Sequence, residues 1–225
     1  FSEPFIWMFT LFGFIVITNS INLIDGLDGL AGSLGLIILS CYGTWFMYAG
    51  IEEAAYICFA IVGGIVAFLF FNWQPSRIFM GDTGALTLGL ACAAMTILFI
   101  NSNFQLDSSN PAKVTSGVAT AICVMIIPLT DTLRVFIIRI SAGRSPFSAD
   151  TNHIHHLLIR SGLSHSGAVR LLAVSNLFFI VLAFAGREWM PQVLLMTVIL
   201  TASAGILVIL LYLRLKAKPQ KAAIQ

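Results

Sequence analysis

The residues able to do chemistry in this chain fall into three short clusters, each beside an apolar run. The first reads Asn19-Ser-Ile-Asn22-Leu-Ile-Asp25-Gly26-Leu-Asp28-Gly29. Asn19, Asn22 and Asp25 recur every three residues and so share one face of a helix. Gly26 and Gly29 permit a tight turn or a close approach of backbone to a ligand. Carboxylates this near an apolar span are costly unless they pair or line a wet cavity. A pair of them at a membrane surface suits a hard divalent cation such as Mg²⁺, with Mn²⁺ as the alternative, which takes oxygen ligands and bridges to substrate phosphates. Read structurally, the asparagines bridge helices and the Asp-Gly units end one. For Asn19 and Asn22 alone the two readings weigh equally; two Asp-Gly units in a row favour function.

The second cluster runs Asn72-Trp-Gln-Pro75-Ser-Arg77-Ile-Phe79-Met-Gly81-Asp82-Thr83-Gly84. Pro75 closes one helix. Gly81 to Gly84 open the next, where free N–H groups and the positive end of the helix dipole can receive phosphate. Taken singly, Asp82 or Thr83 is an ordinary N-cap, but the Phe-Met-Gly-Asp-Thr-Gly run is too particular for a cap alone. The third cluster is Arg144-Ser-Pro-Phe-Ser-Ala-Asp150-Thr-Asn-His153-Ile-His155-His156-Leu-Leu-Ile-Arg160. Three histidines so close have the outline of a metal site. With no cysteine near and arginines on both flanks, they fit a diphosphate better, through imidazole donors and bidentate guanidinium contacts. The fourth histidine, His165, reads as a solvated loop residue. Asp131 stands inside an apolar run with Arg134 one turn on, and ion pairing and function account for it equally.

The elements that carry these clusters follow from composition. With 58% hydrophobic and 10% charged residues and a mean hydropathy of +0.94, the chain has too little polar surface to coat a soluble globule. A bilayer is its solvent. Spanning helices need about 20 apolar residues, and seven runs qualify: residues 4–23, 30–49, 54–71, 85–100, 114–138, 168–185 and 192–213. They are continuously apolar, without the alternation of a membrane β-strand, so the expected fold is all-α, a polytopic transmembrane bundle. No basic leader or cleavage site precedes the first run. Cys41, Cys58, Cys92 and Cys123 lie one to a run and read as small buried hydrophobes. A net charge of +2 gives no basic surface for nucleic acid.

If the spans alternate, Arg77, Arg134, Arg139, Arg144, Arg160, Arg170, Arg214, Lys216, Lys218 and Lys221 gather on one face, against Lys113 and Arg187 on the other. The positive-inside rule makes the first face cytoplasmic. The acids of that face are all aspartates: Asp25, Asp28, Asp82, Asp131 and Asp150. One membrane-embedded domain fills residues 1–225, with residues 139–167 as a cytoplasmic substrate loop and residues 215–225 as a basic, membrane-surface tail.

Together, Asn22-Leu-Ile-Asp25-Gly-Leu-Asp28-Gly-Leu-Ala, Phe79-Met-Gly-Asp82-Thr-Gly, Pro128-Leu-Thr-Asp131-Thr and Ser145-Pro-Phe-Ser-Ala-Asp150 before His153-Ile-His-His resemble the polyprenyl-phosphate N-acetylhexosamine-1-phosphate transferases. The resemblance runs from Phe5 to Arg214. It implies a multi-helix enzyme of the bacterial inner membrane. Such an enzyme moves a sugar 1-phosphate from a UDP-sugar to undecaprenyl phosphate with Mg²⁺ and releases UMP. It further implies Asp82 as magnesium ligand and Asp25 and Asp28 as the acidic pair of the nucleotide-sugar site. Phe79 would stack on uracil and Asn22 position the sugar diphosphate, while His153, His155, His156 and Arg144 would hold its phosphates. The His-Ile-His-His form is similar to the branch that begins O-antigen, enterobacterial common antigen or teichoic acid synthesis. Ile154 argues against the phospho-MurNAc-pentapeptide branch, which shows three consecutive histidines.

The sequence departs from that family in one respect. Its Asp-Asp-x-x-Asp motif has no match in these residues, which implies that N-terminal helices are missing and that the 225 residues alone are inactive. A scaffolding remnant is therefore one alternative. A cation transporter is another, and it predicts acids scattered through the membrane depth. The sequence leaves open whether two copies pair as a homodimer.

Overall fold

The computed structural model describes residues 2–145, 153–187, 190–197, 201 and 205. Among these it is all helix, with no strand: α1 Glu3–Ile24, α2 Leu30–Ala49, α3 Glu52–Asn72, α4 Gly81–Gln105, α5 Gly117–Val124, α6 Ile126–Ser141, α7 Ile154–Arg160 and α8 His165–Ala185. Five of these are long and apolar enough to cross a membrane, or six if the bent pair α5 and α6 is one broken span. The chain is a polytopic membrane bundle. The seventh expected span, residues 192–213, lies mostly outside the described residues, as do the loop centre around Asp150 and the basic tail.

Hydropathy located the helices and missed their polar ends. The expected second span coincides with α2, whereas α4 begins four residues before the expected start and ends five after the expected end. Its first turn is the Gly81-Asp82-Thr83-Gly84 run and its last is Asn101 to Gln105, all polar enough to escape an apolar window. Met80 stands at the N-cap with no side-chain cap bond, so neither Asp82 nor Thr83 is consumed as a cap.

The fifth span needs a larger correction. In place of one helix over residues 114–138, α5 and α6 meet at Met125 with a bend of 80°. Pro128 supplies the cause, since its ring clashes with the carbonyl four residues back, that of Val124, and it brings no N–H to the ladder. A break inside an apolar bundle leaves backbone groups without partners. Asn176 of α8, fully buried, takes them up: its Nδ2 donates to Val124 O at 3.1 Å and its Oδ1 accepts from Ile127 N at 3.3 Å.

The other helices pack by close approach. α2 is the central element, packed on α3, α4 and α8, while α1 lies on α4 and α6. A methyl group on Gly89 of α4 would come within 2.6 Å of the Thr18 carbonyl oxygen of α1, so the two backbones touch there. Toward the other end of α2, Trp45 meets Phe99 edge-on at 4.5 Å and donates from Nε1 to Ala112 O at 2.9 Å, pinning the α4–α5 connection. Trp7, Phe12, Phe70, Phe104 and Phe178 are exposed, which in a bilayer is contact with lipid tails.

Candidate active site

The α1–α2 turn, the α3–α4 connection and the start of α7 come together at one end of the bundle, and each carries residues of one of the sequence clusters. Asp25 is the C-cap of α1 and Gly29, at φ 79°, the N-cap of α2, so the Asp25-Gly26-Leu27-Asp28-Gly29 segment is a short turn. Asn72, the last residue of α3, stitches this turn to the next. Its Oδ1 accepts from Gly29 N and its Nδ2 donates to Ile78 O, both at 2.8 Å. Ile78 precedes Phe79, so one buried amide fixes the spacing between the Asp-Gly turn and the loop that leads to Asp82.

Electrostatics tie the same two turns together. The Asp25 carboxyl is pushed up to about 6, first by burial and then by the charges of Asp28 and Asp82. Three carboxylates therefore share one field. Asp82, in the first turn of α4, is exposed, and so is Phe79 at 78%, with its ring face uncovered. Asn22 is half-buried in the last turn of α1. Asn19 donates from Nδ2 to Ile15 O of its own helix at 2.7 Å, a bond within α1 and not the bridge between helices that its structural reading expected.

The histidine cluster is held from beneath by Asp131. One carboxylate oxygen, Oδ1, accepts from the backbone N of Ile154 at 2.8 Å and from Arg134 at 3.0 Å; the other, Oδ2, lies 2.9 Å from Nδ1 of His153. His153 is the N-cap of α7, so this clasp sets where α7 starts and how it is aimed. The ring of His155 lies parallel to that of His153, with centroids 5.6 Å apart, and beside that of His156 at 4.3 Å.

His155 is the joint between the first and third clusters. It is 1% exposed and sits against Gly26, where a methyl group would overlap its imidazole. Gly26 is thus required by packing. Burial, with the neighbouring His156, holds the His155 ring near pKa 4, so it is neutral at physiological pH, and among the described residues neither ring nitrogen has a hydrogen-bond partner. Burial also lowers His156, which is only half-buried. Of the cationic groups read from the sequence, Arg144 is exposed, following the end of α6. The structure thus divides labour among residues that the sequence treated alike: His153 is clasped, His155 is a neutral wedge, and His156 is the most accessible.

The donor set of the carboxylate cluster is all oxygen, which fits a hard divalent cation. Among the described residues no three potential ligands converge closely enough to form a ready-made cage. Such a site fits Mg²⁺, which dehydrates reluctantly and completes its shell with water and substrate phosphate. Asn72 headed the second sequence cluster without a role of its own, and Asn176 was missed. Both are amides at the end of, or inside, an apolar helix, which was the available signal.

Fold and site define a polytopic membrane protein with carboxylates, an exposed aromatic ring and histidines gathered at one end. Residues 1–100 match the family model of glycosyl transferase family 4, and the chain belongs to that family. A probable undecaprenyl-phosphate N-acetylglucosaminyl 1-phosphate transferase of Bacillus subtilis is 35% identical over 190 residues, covering 80% of this chain and 50% of the relative. An undecaprenyl-phosphate alpha-N-acetylglucosaminyl 1-phosphate transferase of Yersinia pestis is 29% identical over 205 residues, 88% of this chain and 54% of the relative. A phospho-N-acetylmuramoyl-pentapeptide-transferase of Listeria monocytogenes is 48% identical over a shorter stretch of 94 residues, 42% of this chain and 29% of the relative. The chain spans about half the length of the N-acetylglucosaminyl 1-phosphate transferases it matches.

Proposed function

We propose that this protein transfers N-acetylhexosamine 1-phosphate, with GlcNAc 1-phosphate as the expected group, from a UDP-sugar to undecaprenyl phosphate, and so begins a cell-envelope polysaccharide. The observation that carries the reading is the shared field of Asp25, Asp28 and Asp82 beside a clasped histidine cluster. Carboxylates alone would repel a nucleotide diphosphate; carboxylates that recruit a divalent cation, beside imidazoles and arginines, would hold one. The N-acetylglucosaminyl 1-phosphate transferases named above match most of the chain, whereas the pentapeptide transferase matches less than half.

In this reading an oxygen of the lipid phosphate attacks the β-phosphorus of the UDP-sugar in line. A new phosphorus–oxygen bond forms as the bond to the α–β bridging oxygen breaks, and UMP leaves with the electron pair. The protein positions the two anions and offsets their repulsion. Phe79 stacks on uracil, Asn22 and Asp28 orient the sugar diphosphate, and His153, His156 and Arg144 face its phosphates. His155 holds the histidine loop against Gly26. Asp82 is the metal ligand, and Asp25 lies in its field. Mg²⁺, or Mn²⁺, when bound, would neutralise charge on the diphosphate and the departing UMP. The site opens to the cytoplasm at the inner membrane, where the nucleotide sugar is, and residues 139–167 form its substrate loop.

The test is UMP release by the protein expressed from its complete reading frame, in detergent with UDP-GlcNAc, undecaprenyl phosphate and Mg²⁺. Release that depends on the lipid, is lost with EDTA and falls at least about 100-fold in Asp82→Asn is the expected result. Release only with UDP-MurNAc-pentapeptide would move the protein to the other branch. No release with any UDP-sugar would end the enzymatic reading.

A further inference from the structure

The structure holds a buried carboxylate to which the proposed reaction assigns no role. Asp131 lies in α6, 1% exposed, and sends its two oxygens to different tasks. Oδ1 takes the Ile154 N–H and the Arg134 guanidinium, while Oδ2 faces Nδ1 of His153 at 2.9 Å. An ion pair with Arg134 needs only the first oxygen. The second determines something else, because an ionised carboxylate has no hydrogen to give, and so Nδ1 of His153 must carry the proton.

We propose that Asp131 is a positioning residue for the transfer reaction, acting through His153: it fixes the ring's tautomer and orientation and leaves Nε2 as the nitrogen that meets the nucleotide diphosphate. This rests on the transferase reading. Nε2 lies on the ring edge opposite the carboxylate. The ring plane is set by two independent restraints, the Oδ2 contact and the parallel stack on His155, which is itself wedged on Gly26 beside Asp25. With Nδ1 committed to the carboxylate, Nε2 is the ring nitrogen left to meet the substrate's phosphate. Among the described residues, the charged and titratable groups about this ring are Asp131 and Arg134 from α6 and His155 and His156 from α7.

Asp131→Asn separates positioning from mere clasping. The amide oxygen at the Oδ1 place still accepts from Ile154, so α7 stays anchored. The NH₂ at the Oδ2 place then donates to Nδ1, which drives the ring proton to Nε2 and removes the counter-charge. In the complete protein, labelled with ¹⁵N-histidine and assigned with a His153→Gln variant, the wild type should show His153 protonated at Nδ1. In Asp131→Asn that signal should vanish. kcat for UMP release should fall on the order of 10- to 100-fold, KM for the UDP-sugar should stay within about threefold, and Asp131→Glu should recover part of the rate.

An Asp131→Asn variant with wild-type kcat, or one that loses kcat while Nδ1 keeps its proton, would overturn the proposal. If Asp131→Asn does not fold, the wild-type spectrum and Asp131→Glu decide: a wild-type His153 carrying its proton only on Nε2, or an Asp131→Glu variant that folds without any rate, also overturns it. Absence of UMP release from the wild type sinks the transferase reading alone, because the ¹⁵N spectra still report whether Asp131 sets the tautomer.

Discussion

Asp25 shows the conflict that a crowded, half-buried carboxylate sets up. Its side chain is held near pKa 6 by burial and by Asp28 and Asp82. A raised carboxyl binds its proton more tightly in the folded protein than in the unfolded chain, so folded stability falls as pH rises from about 4 toward 6 and stays reduced above that. Asp25→Asn removes the ionisation. It should therefore raise stability at pH 7.5 by about 1 kcal/mol, after allowing for solvent screening of a partly buried group, and the gain should shrink toward zero at the lowest pH the protein withstands. Thermal unfolding of both proteins across pH checks this. An Asp25→Asn protein less stable than wild type at pH 7.5 would mean that the carboxylate is paired, not crowded. The same variant should lose transfer activity, because the crowded charge is what would recruit the cation.

Among the elements, the broken span matters most. α6 carries Asp131, and the bend at Met125 sets where α6 runs, so the histidine loop depends on a junction far from it in sequence. Asn176 is what makes the break tolerable, since it satisfies a carbonyl and an N–H that the apolar surroundings would otherwise strand. Asn176→Leu keeps the volume and removes both bonds. It should destabilise the protein by roughly 2 kcal/mol and lower UMP release, read as a fall in thermal midpoint and in rate together. An unchanged midpoint would show that the junction finds other partners.

At the scale of the whole molecule, the assignment of faces rests on charge alone. Arginines of the sequence flank the carboxylate and histidine clusters, and the proposal that this end is cytoplasmic is drawn from the positive-inside rule. Single cysteines placed at Gln74, in the α3–α4 connection, and at Ser108, in the α4–α5 connection, would report it in a background without the four native cysteines. A membrane-impermeant maleimide should label Ser108→Cys in intact cells and Gln74→Cys only after permeabilisation. The reverse pattern would put the site outside, away from cytoplasmic nucleotide sugars, and would sink the proposed donor.

Much of this was open to reading from the residues alone, because the bilayer imposes a simple rule. An apolar run of about 20 residues must be helix, and α2 falls where hydropathy put it. The polar clusters stood out for the same reason, since carboxylates and histidines beside lipid need a purpose. What the residues did not reveal is who touches whom. Asp131 read equally well as an ion pair or a functional acid, and only the fold brings His153 and Ile154 to it across more than twenty positions of chain. The resemblance made His155 one phosphate ligand among three, and only the fold shows that it is wedged against Gly26 and that burial, with His156 beside it, lowers its pKa. The break at Met125 escaped although Pro128 lies beside it, because what makes a break tolerable there is Asn176, far along the chain. The physical reason is common to all three. Transfer from water to lipid is set by each residue's own composition, whereas a buried hydrogen bond, a steric contact or a shifted charge exists only when two distant segments are folded together.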